Sequence, residues 1–257
     1  MVWEARQNIL TCFHCATRSA VPLPCPKCRG TEIRYLGTGL SKLEAEVSHR
    51  WPGSKPILLE GEVAPEQARA AASAPIVIGS RAAWRYLNLA DFTLIALVQP
   101  DSELSLPEFR AAEEVWQTAR YFLASGAREV WAQTYRPEHH VWQSLVNSDL
   151  KRFYEAELKQ REQYHYPPFG SLVRFTVQDM SEREALKQAR ALKTTLQPKL
   201  KSGVELSGPY PDYYKQVRGR YRFHLLLRYQ RGFNPETLWS VLPNDVIIDR
   251  HPRTVLS

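Results

Sequence analysis

Cysteine is scarce in this 257-residue sequence: there are four, all within the first 28 residues. A disulfide framework is therefore excluded for the rest of the chain, which must rely on apolar cores. No run of about 18 apolar residues occurs, so no segment reads as a membrane-spanning helix. The first ten residues carry Glu4 and Arg6 and no long apolar stretch, so they do not read as a secretory signal. The expected compartment is the cytoplasm, where thiols stay reduced and grouped cysteines usually hold metal. Motifs for several chemistries are also missing. There is no Gly-x-x-x-x-Gly-Lys-Ser/Thr loop to cradle a triphosphate, no Gly-x-Ser-x-Gly elbow and no His-Glu-x-x-His. Gly37-Thr38-Gly39 runs into Leu40-Ser41-Lys42 and fits neither a phosphate loop nor a dinucleotide fingerprint. No internal repeat or low-complexity segment is present.

Charge is unevenly spread, with basic residues sparse in the first 150 positions and dense after them. From Lys151 to Ser257, 19 Lys+Arg stand against 11 Asp+Glu, whereas the first 150 residues carry 15 against 16. A basic C-terminal part on a near-neutral remainder suits an anionic partner there, although a solvated basic surface has the same composition.

The pattern predicts an α/β architecture followed by a smaller α+β domain. Residues 1–30 hold the cysteines with Pro22, Pro24 and Pro26, and are too few to bury a core without a staple. Leu40 to Arg50 reads as an amphipathic helix. The short apolar runs Pro56–Glu60, Pro75–Gly79 and Thr93–Val98 read as buried parallel strands. Helical patterns cover Ala64–Ser73, Leu106–Ala124 and His139–Leu158. After Tyr166-Pro167-Pro168-Phe169-Gly170 the order becomes strand (Ser171–Gln178), helix (Ser181–Leu200), strand (Val204–Ser207), strand (Tyr221–Tyr229), short helix (Phe233–Leu242), strand (Asp245–Asp249). That is a split βαβ sandwich, its first helix opened by a capping box of Ser181 and Glu184. The expected domains are 1–30, 31–145 and 146–257.

Two Cys-x-x-Cys pairs, Cys12/Cys15 and Cys25/Cys28, stand nine residues apart. Each pair can form a knuckle with two thiolates aimed at one centre, and four soft sulfurs suit one structural zinc ion with no open coordination position. A disulfide pair or a redox motif is the competing reading. His14, inside the first knuckle, reads as a neighbour rather than a ligand. In Gln216–Arg222 the arginines Arg218, Arg220 and Arg222 fall at period two. If Tyr221 starts the inward face, Arg220 and Arg222 point outward together, with Lys215 nearby, and suit phosphate or carboxylate capture. A solvated strand face is the plainer alternative. Glu113-Glu114, His139-His140 and His165 read as surface residues, and Trp84, Trp116, Trp131 and Trp142 as either core or exposed interface.

Taken in order, these stretches resemble the C-terminal half of the replication-restart PriA family (primosomal protein N′). The carriers are Cys12–Cys15, Pro24–Cys28, Arg34–Gly39 with Lys42-Leu43-Glu44, Leu104–Glu113, Gln133–His139, Phe153-Tyr154-Glu155, Tyr166–Gly170, Gly208-Pro209 and Arg218–Arg222. The resemblance implies a second helicase lobe with a zinc-binding insertion, then a C-terminal domain that binds branched DNA and the acidic tail of single-stranded-DNA-binding protein. It puts Arg220 on that tail's carboxylate with His224 beside it, although the family usually has Gln at that place. The departures are a degenerate stretch at Gly79–Phe92, no arginine-finger motif after Gln117, two rather than four cysteine pairs, and no first helicase lobe.

The combined expectation is a zinc-binding module on Cys12, Cys15, Cys25 and Cys28, a degenerate helicase lobe with a parallel sheet, and an α+β domain. That domain would hold branched or single-stranded DNA, the acidic tail or other primosome proteins through Lys215, Arg218, Arg220, Arg222 and His224. One zinc and no ATP are expected, and no enzymatic activity. The alternatives are a helicase subunit working with a separate first lobe, and a zinc adaptor or decayed remnant without a DNA role.

Overall fold

The computed structural model describes residues 2–4, 9–11, 18–22, 24, 29–30, 39–106, 108–212, 216–230 and 232–255. The four cysteines, Lys215 and the Gly37-Thr38 pair lie outside the described residues. At the front, β1 (Val2–Glu4), β2 (Ile9–Thr11) and β3 (Arg18–Ala20) make a small antiparallel sheet. In it, Thr11 pairs with Val2 on one side and Arg18 on the other.

The contacts divide the chain into two compact units. One comprises residues 34–104 and 113–148. It opens with α1 (Leu40–Arg50), β4 (Ile57–Leu59), α2 (Pro65–Ala72) and β5 (Val77–Gly79). Strands β4 and β5 pair in parallel, Ile57 opposite Val77, over a core of Leu59, Val63, Ala71 and Ala83. Gly79 is required there, because a Cβ would stand 2.6 Å from that of Ala83. Two 3₁₀ turns (Arg81–Tyr86 and Leu89–Asp91) lead to β6 (Leu94–Val98), α3 (Asp101–Leu104), α4 (Ala111–Leu123), β7 (Glu129–Gln133) and α5 (His140–Val146).

Strand β7 has no counterpart in the sequence reading. It pairs in parallel with β6, Leu94 opposite Glu129, yet its outward residues Glu129, Trp131 and Gln133 break the apolar run that marks a buried strand. Helix α4 starts later than the pattern predicts because residues 105–112 leave this unit and pack in the other. Its buried stripe is Ala111, Val115, Ala119 and Phe122, the spacing of one helix face. The expected helix from His139 to Leu158 is two helices. Ser148 sits at φ 51°, and the Asp149 side chain accepts from the Arg152 N–H at 2.9 Å, capping a new start.

The other unit takes in residues 105–112 and 149–257 together with the first 33. After α6 (Leu150–Gln163) come β8 (Ser171–Asp179), α7 (Glu182–Leu196), β9 (Val204–Pro211), β10 (Tyr221–Tyr229), a 3₁₀ turn (Pro235–Val241) and β11 (Ile247–Arg250). The sheet order is β11-β8-β10-β9, antiparallel throughout. This is the split βαβ order that the sequence pattern predicts. Ser181 caps α7, accepting from the Glu184 N–H at 3.5 Å. The stripe Ala185, Ala189, Leu192 and Leu196 is buried on Val173, Phe175, Val177, Phe223, Leu225 and Leu227 of the sheet. Each large apolar side chain fully buried this way contributes roughly 1.5–3 kcal/mol.

The opposite face of this sheet is covered as well. Leu172, Tyr210 and Leu226 are buried under Phe109, Tyr166 and Val255. A layered stack holds that cover in place. Arg161 lies 5.4 Å from the Phe109 ring, Phe109 stacks on Tyr166 at 5.2 Å, and Arg228 lies 5.0 Å from the Tyr166 ring. Glu108 completes the clasp: its Oε2 accepts from Thr254 Oγ1 at 2.6 Å and from the Val255 N–H at 2.7 Å. Among the described residues no helix is long and apolar enough to cross a membrane.

Candidate nucleic-acid interface

The arginines singled out in the sequence cluster at a hairpin tip. Val217 and Arg220 form an antiparallel bridge, exchanging N–H···O bonds of 2.9 and 3.1 Å. Between them Arg218 and Gly219 have φ of 51° and 75°. Two consecutive positive φ values are the signature of the two-residue turn whose twist matches paired strands, and Gly219 meets that demand at no steric cost. The result is a narrow tip with Arg218 and Arg220 both exposed. Arg222, two residues along, is half-buried, and its Nε donates to Gln178 Oε1 at 3.3 Å. It is thus partly committed to the sheet, while the two tip guanidiniums stand open to solvent.

His224 corrects the sequence expectation. Alternation along β10 places it on the face of Arg222, which was read as open, but that face is covered and His224 is 2% exposed. Its Nδ1 lies 2.9 Å from Thr176 Oγ1, and its Nε2 lies 3.2 Å from Asp212 Oδ2. Burial pushes its pKa below the ordinary value, outweighing the hydrogen bond to Asp212 that raises it. A neutral buried imidazole adds no charge to an anion site. Its role is support: Asp212, where the chain leaves β9, is also pinned by its own N–H donating to the Arg222 carbonyl at 3.0 Å. No spacing in the sequence marks Thr176 or Asp212 as partners of His224.

Gly208 stands at the irregularity where β9 shifts register against β10. It has φ 102°, and a Cβ there would lie 2.5 Å from the His224 carbonyl oxygen. Lys193 of α7 donates to the Gly208 carbonyl at 2.7 Å, fixing the strand beside the hairpin. Glycine is the residue this close approach allows.

The remaining histidines and carboxylates divide by environment. Glu114 pairs with Arg81 at 2.8 Å, and His165 is bonded to Gln230. His139 caps α5, its Nδ1 accepting from the Val141 N–H at 3.3 Å. Its pKa is lowered to about 4, first by burial and then by His140 and Arg136. Both His139 and His224 therefore bind a proton more readily unfolded than folded. Stability is fully present above their ordinary pKa of 6.5 and declines as pH falls below it, for His139 down to about 4. Each group adds at most about 1.4 kcal/mol per pH unit. Thermal melts across that window are expected to show the decline, and H224Q to flatten it.

Residues 162–256 match the family described as Primosomal protein N C-terminal domain. Curated relatives align over more of the chain. Replication restart protein PriA of Synechocystis sp. is 28% identical over 260 residues, covering 95% of this chain and 31% of the relative. The PriA of Bacillus subtilis is 26% identical, covering 96% and 32%. That of Treponema pallidum is 29% identical, covering 89% and 36%. The chain thus spans about a third of the length of the curated relatives it matches. These matches overturn the expectation of a non-enzyme. The chain aligns with only 31–36% of these PriA relatives, so motifs missing from this stretch do not exclude catalysis.

Proposed function

From the premise that this chain is a PriA C-terminal region, we propose that it serves replication restart by holding anionic partners at the Arg218–Arg222 hairpin. The carrying observation is the pair of exposed arginines, Arg218 and Arg220, on a two-residue turn within a domain that matches the PriA C-terminal family. Planar forks presented on a fixed backbone suit phosphate and carboxylate oxygens. The partners in this reading are branched or single-stranded DNA, the acidic tail of single-stranded-DNA-binding protein and other primosome proteins, met in the cytoplasm. Arg222 contributes its charge from a half-buried position, and His224 contributes only rigidity.

The same reading gives Cys12, Cys15, Cys25 and Cys28 one structural zinc ion. The donor set is four thiolates at zinc spacing. The pairing of Thr11 with Arg18 supports it, because it brings together the two ends of the stretch that holds Cys12 and Cys15. When bound, such an ion supplies a staple to a segment too short for its own core. Metal analysis of the purified chain tests this, with one zinc per chain expected and none overturning it.

The hairpin is tested with forked DNA, measuring affinity by fluorescence anisotropy against salt. The parent is expected to lose affinity steeply as salt rises. The double variant R218N/R220Q, chosen because Asn tolerates positive φ, is expected to reduce the slope of log K against log salt by about 1.8. Absence of binding at low salt, or an unchanged slope in the variant, overturns the hairpin assignment.

A further inference from the structure

The unit built from residues 34–104 and 113–148 carries an exposed surface of interleaved aromatic and basic residues that the hairpin reading does not use. The 3₁₀ turn Arg81–Tyr86 lies along one stripe of α4. Arg81 Nη1 donates to Glu114 at 2.8 Å and its Nη2 to Thr118 Oγ1 at 3.0 Å. One turn further on, Trp84 stacks on Tyr121, centroids 5.6 Å apart and planes at 18°, while Phe122 packs tilted against the same indole at 4.6 Å. Phe122 is core, Trp84 is half-buried, and Tyr121 is 52% exposed. The tyrosine ring is therefore held on one side by the indole while half of its surface stays in solvent.

Each ring has an arginine as its immediate neighbour in the chain. Arg85 follows Trp84, Arg120 precedes Tyr121, and both arginines are exposed. Two carboxylates of this unit are paired with Arg81, which lies 2.8 Å from Glu114 and 3.3 Å from Glu103. A fixed flat ring flanked by free guanidiniums suits a ligand that has both a planar face and a phosphate. Water alone gives an exposed, pre-stacked Tyr121 little to do. A core role falls to Phe122 and Trp84 instead.

We propose that Trp84 and Tyr121 form a stacking platform for an unpaired base of single-stranded nucleic acid, with Arg85 and Arg120 on the adjoining phosphates. Every base has a π-face, so such a platform reads strandedness and not sequence. A duplex, whose bases are already stacked on one another, gains nothing from it.

The test uses the full chain and a fluorescein-labelled oligothymidylate of about 16 nucleotides, beside a duplex of the same length. Y121A is expected to weaken single-strand binding about tenfold with its salt slope unchanged, and Y121F to stay within about twofold. R85Q/R120Q is expected to lower the single-strand slope by about 1.4. Because Tyr121 lies on the surface over an intact Trp84–Phe122 contact, the variants fold, which melting curves check. Parent-like single-strand binding by Y121A overturns the proposal, as does an equal loss on the duplex. So does a change in sedimentation without a change in DNA binding, which would assign the surface to a protein contact. The R218N/R220Q variant separates this from the hairpin reading: if it leaves binding intact while Y121A does not, the hairpin reading alone fails.

Discussion

Gly170→Ala is expected to cost roughly 3 kcal/mol of stability in the C-terminal unit, a fall of about 6–12 °C in its melting midpoint. The reason is steric. A Cβ at Gly170 falls deep inside the His165 carbonyl oxygen, 3.0 Å from that carbonyl carbon and 3.3 Å from the Tyr229 oxygen. All of these are backbone atoms, so no flexible side chain can swing aside. The Tyr166 and Arg161 main chains are also tied together, Tyr166 N–H to Arg161 O at 2.8 Å, which stiffens the turn that would have to move. Gly203→Ala is the control. That glycine has φ 83° with nothing within 4 Å, so only the backbone penalty applies, about 1 kcal/mol. Equal melting midpoints for the two variants would sink the steric account.

The second large effect is at Arg228. Its guanidinium donates to the Tyr164 carbonyl at 2.9 Å and to Glu205 at 2.6 Å, and lies 5.0 Å from the Tyr166 ring. The side chain is 10% exposed, whereas that of Glu205 is 59% exposed. Arg228→Ala therefore strands a carbonyl, removes one end of the Arg161–Phe109–Tyr166 stack and opens a buried volume, for roughly 3 kcal/mol. Glu205→Gln removes only a solvent-screened partner and is expected to cost less than about 1 kcal/mol. Chemical denaturation of the two single variants measures this asymmetry. Comparable losses would mean that the ion pair, and not the packing of Arg228, holds the site.

Local patterns made some of this structure legible in advance. The helix Leu40–Arg50 and the strand Tyr221–Tyr229 were readable to the residue, because their apolar spacing and flanking turns agree. The strand and helix order of the C-terminal unit followed from the same signals. His224 was misread because it is enclosed by Thr176 and Asp212, 48 and 12 residues away, while Leu226 on the same face lies under Phe109, Tyr166 and Val255. A periodic reading sees one strand and no cover above it. One sign was present: Leu226 shares the parity of His224 and Arg228 on β10, and an apolar residue between two polar ones on a supposedly wet face implies a lid. Strand β7 escaped notice because Trp131, 60% exposed, and its polar neighbours do not alternate as a buried strand should. The tip arginines were legible in number, but their turn conformation became visible only in the Val217–Arg220 bridge.

The eight residues from Ser105 to Ala112 lie far outside the stretch matched by the family, residues 162–256, yet they pack as part of the same unit. Similarity and folding cooperativity therefore draw different borders. A recombinant piece cut at the family's edge would lose Phe109 from the cover over Leu172, Tyr210 and Leu226 and keep Tyr166 and Val255, leaving a partly opened apolar notch ready to capture a neighbouring molecule. Grafting the Ser105–Ala112 octapeptide, with its Glu108 and Phe109, back on a short tether or as a free peptide is the natural way to obtain that piece as a well-behaved monomer.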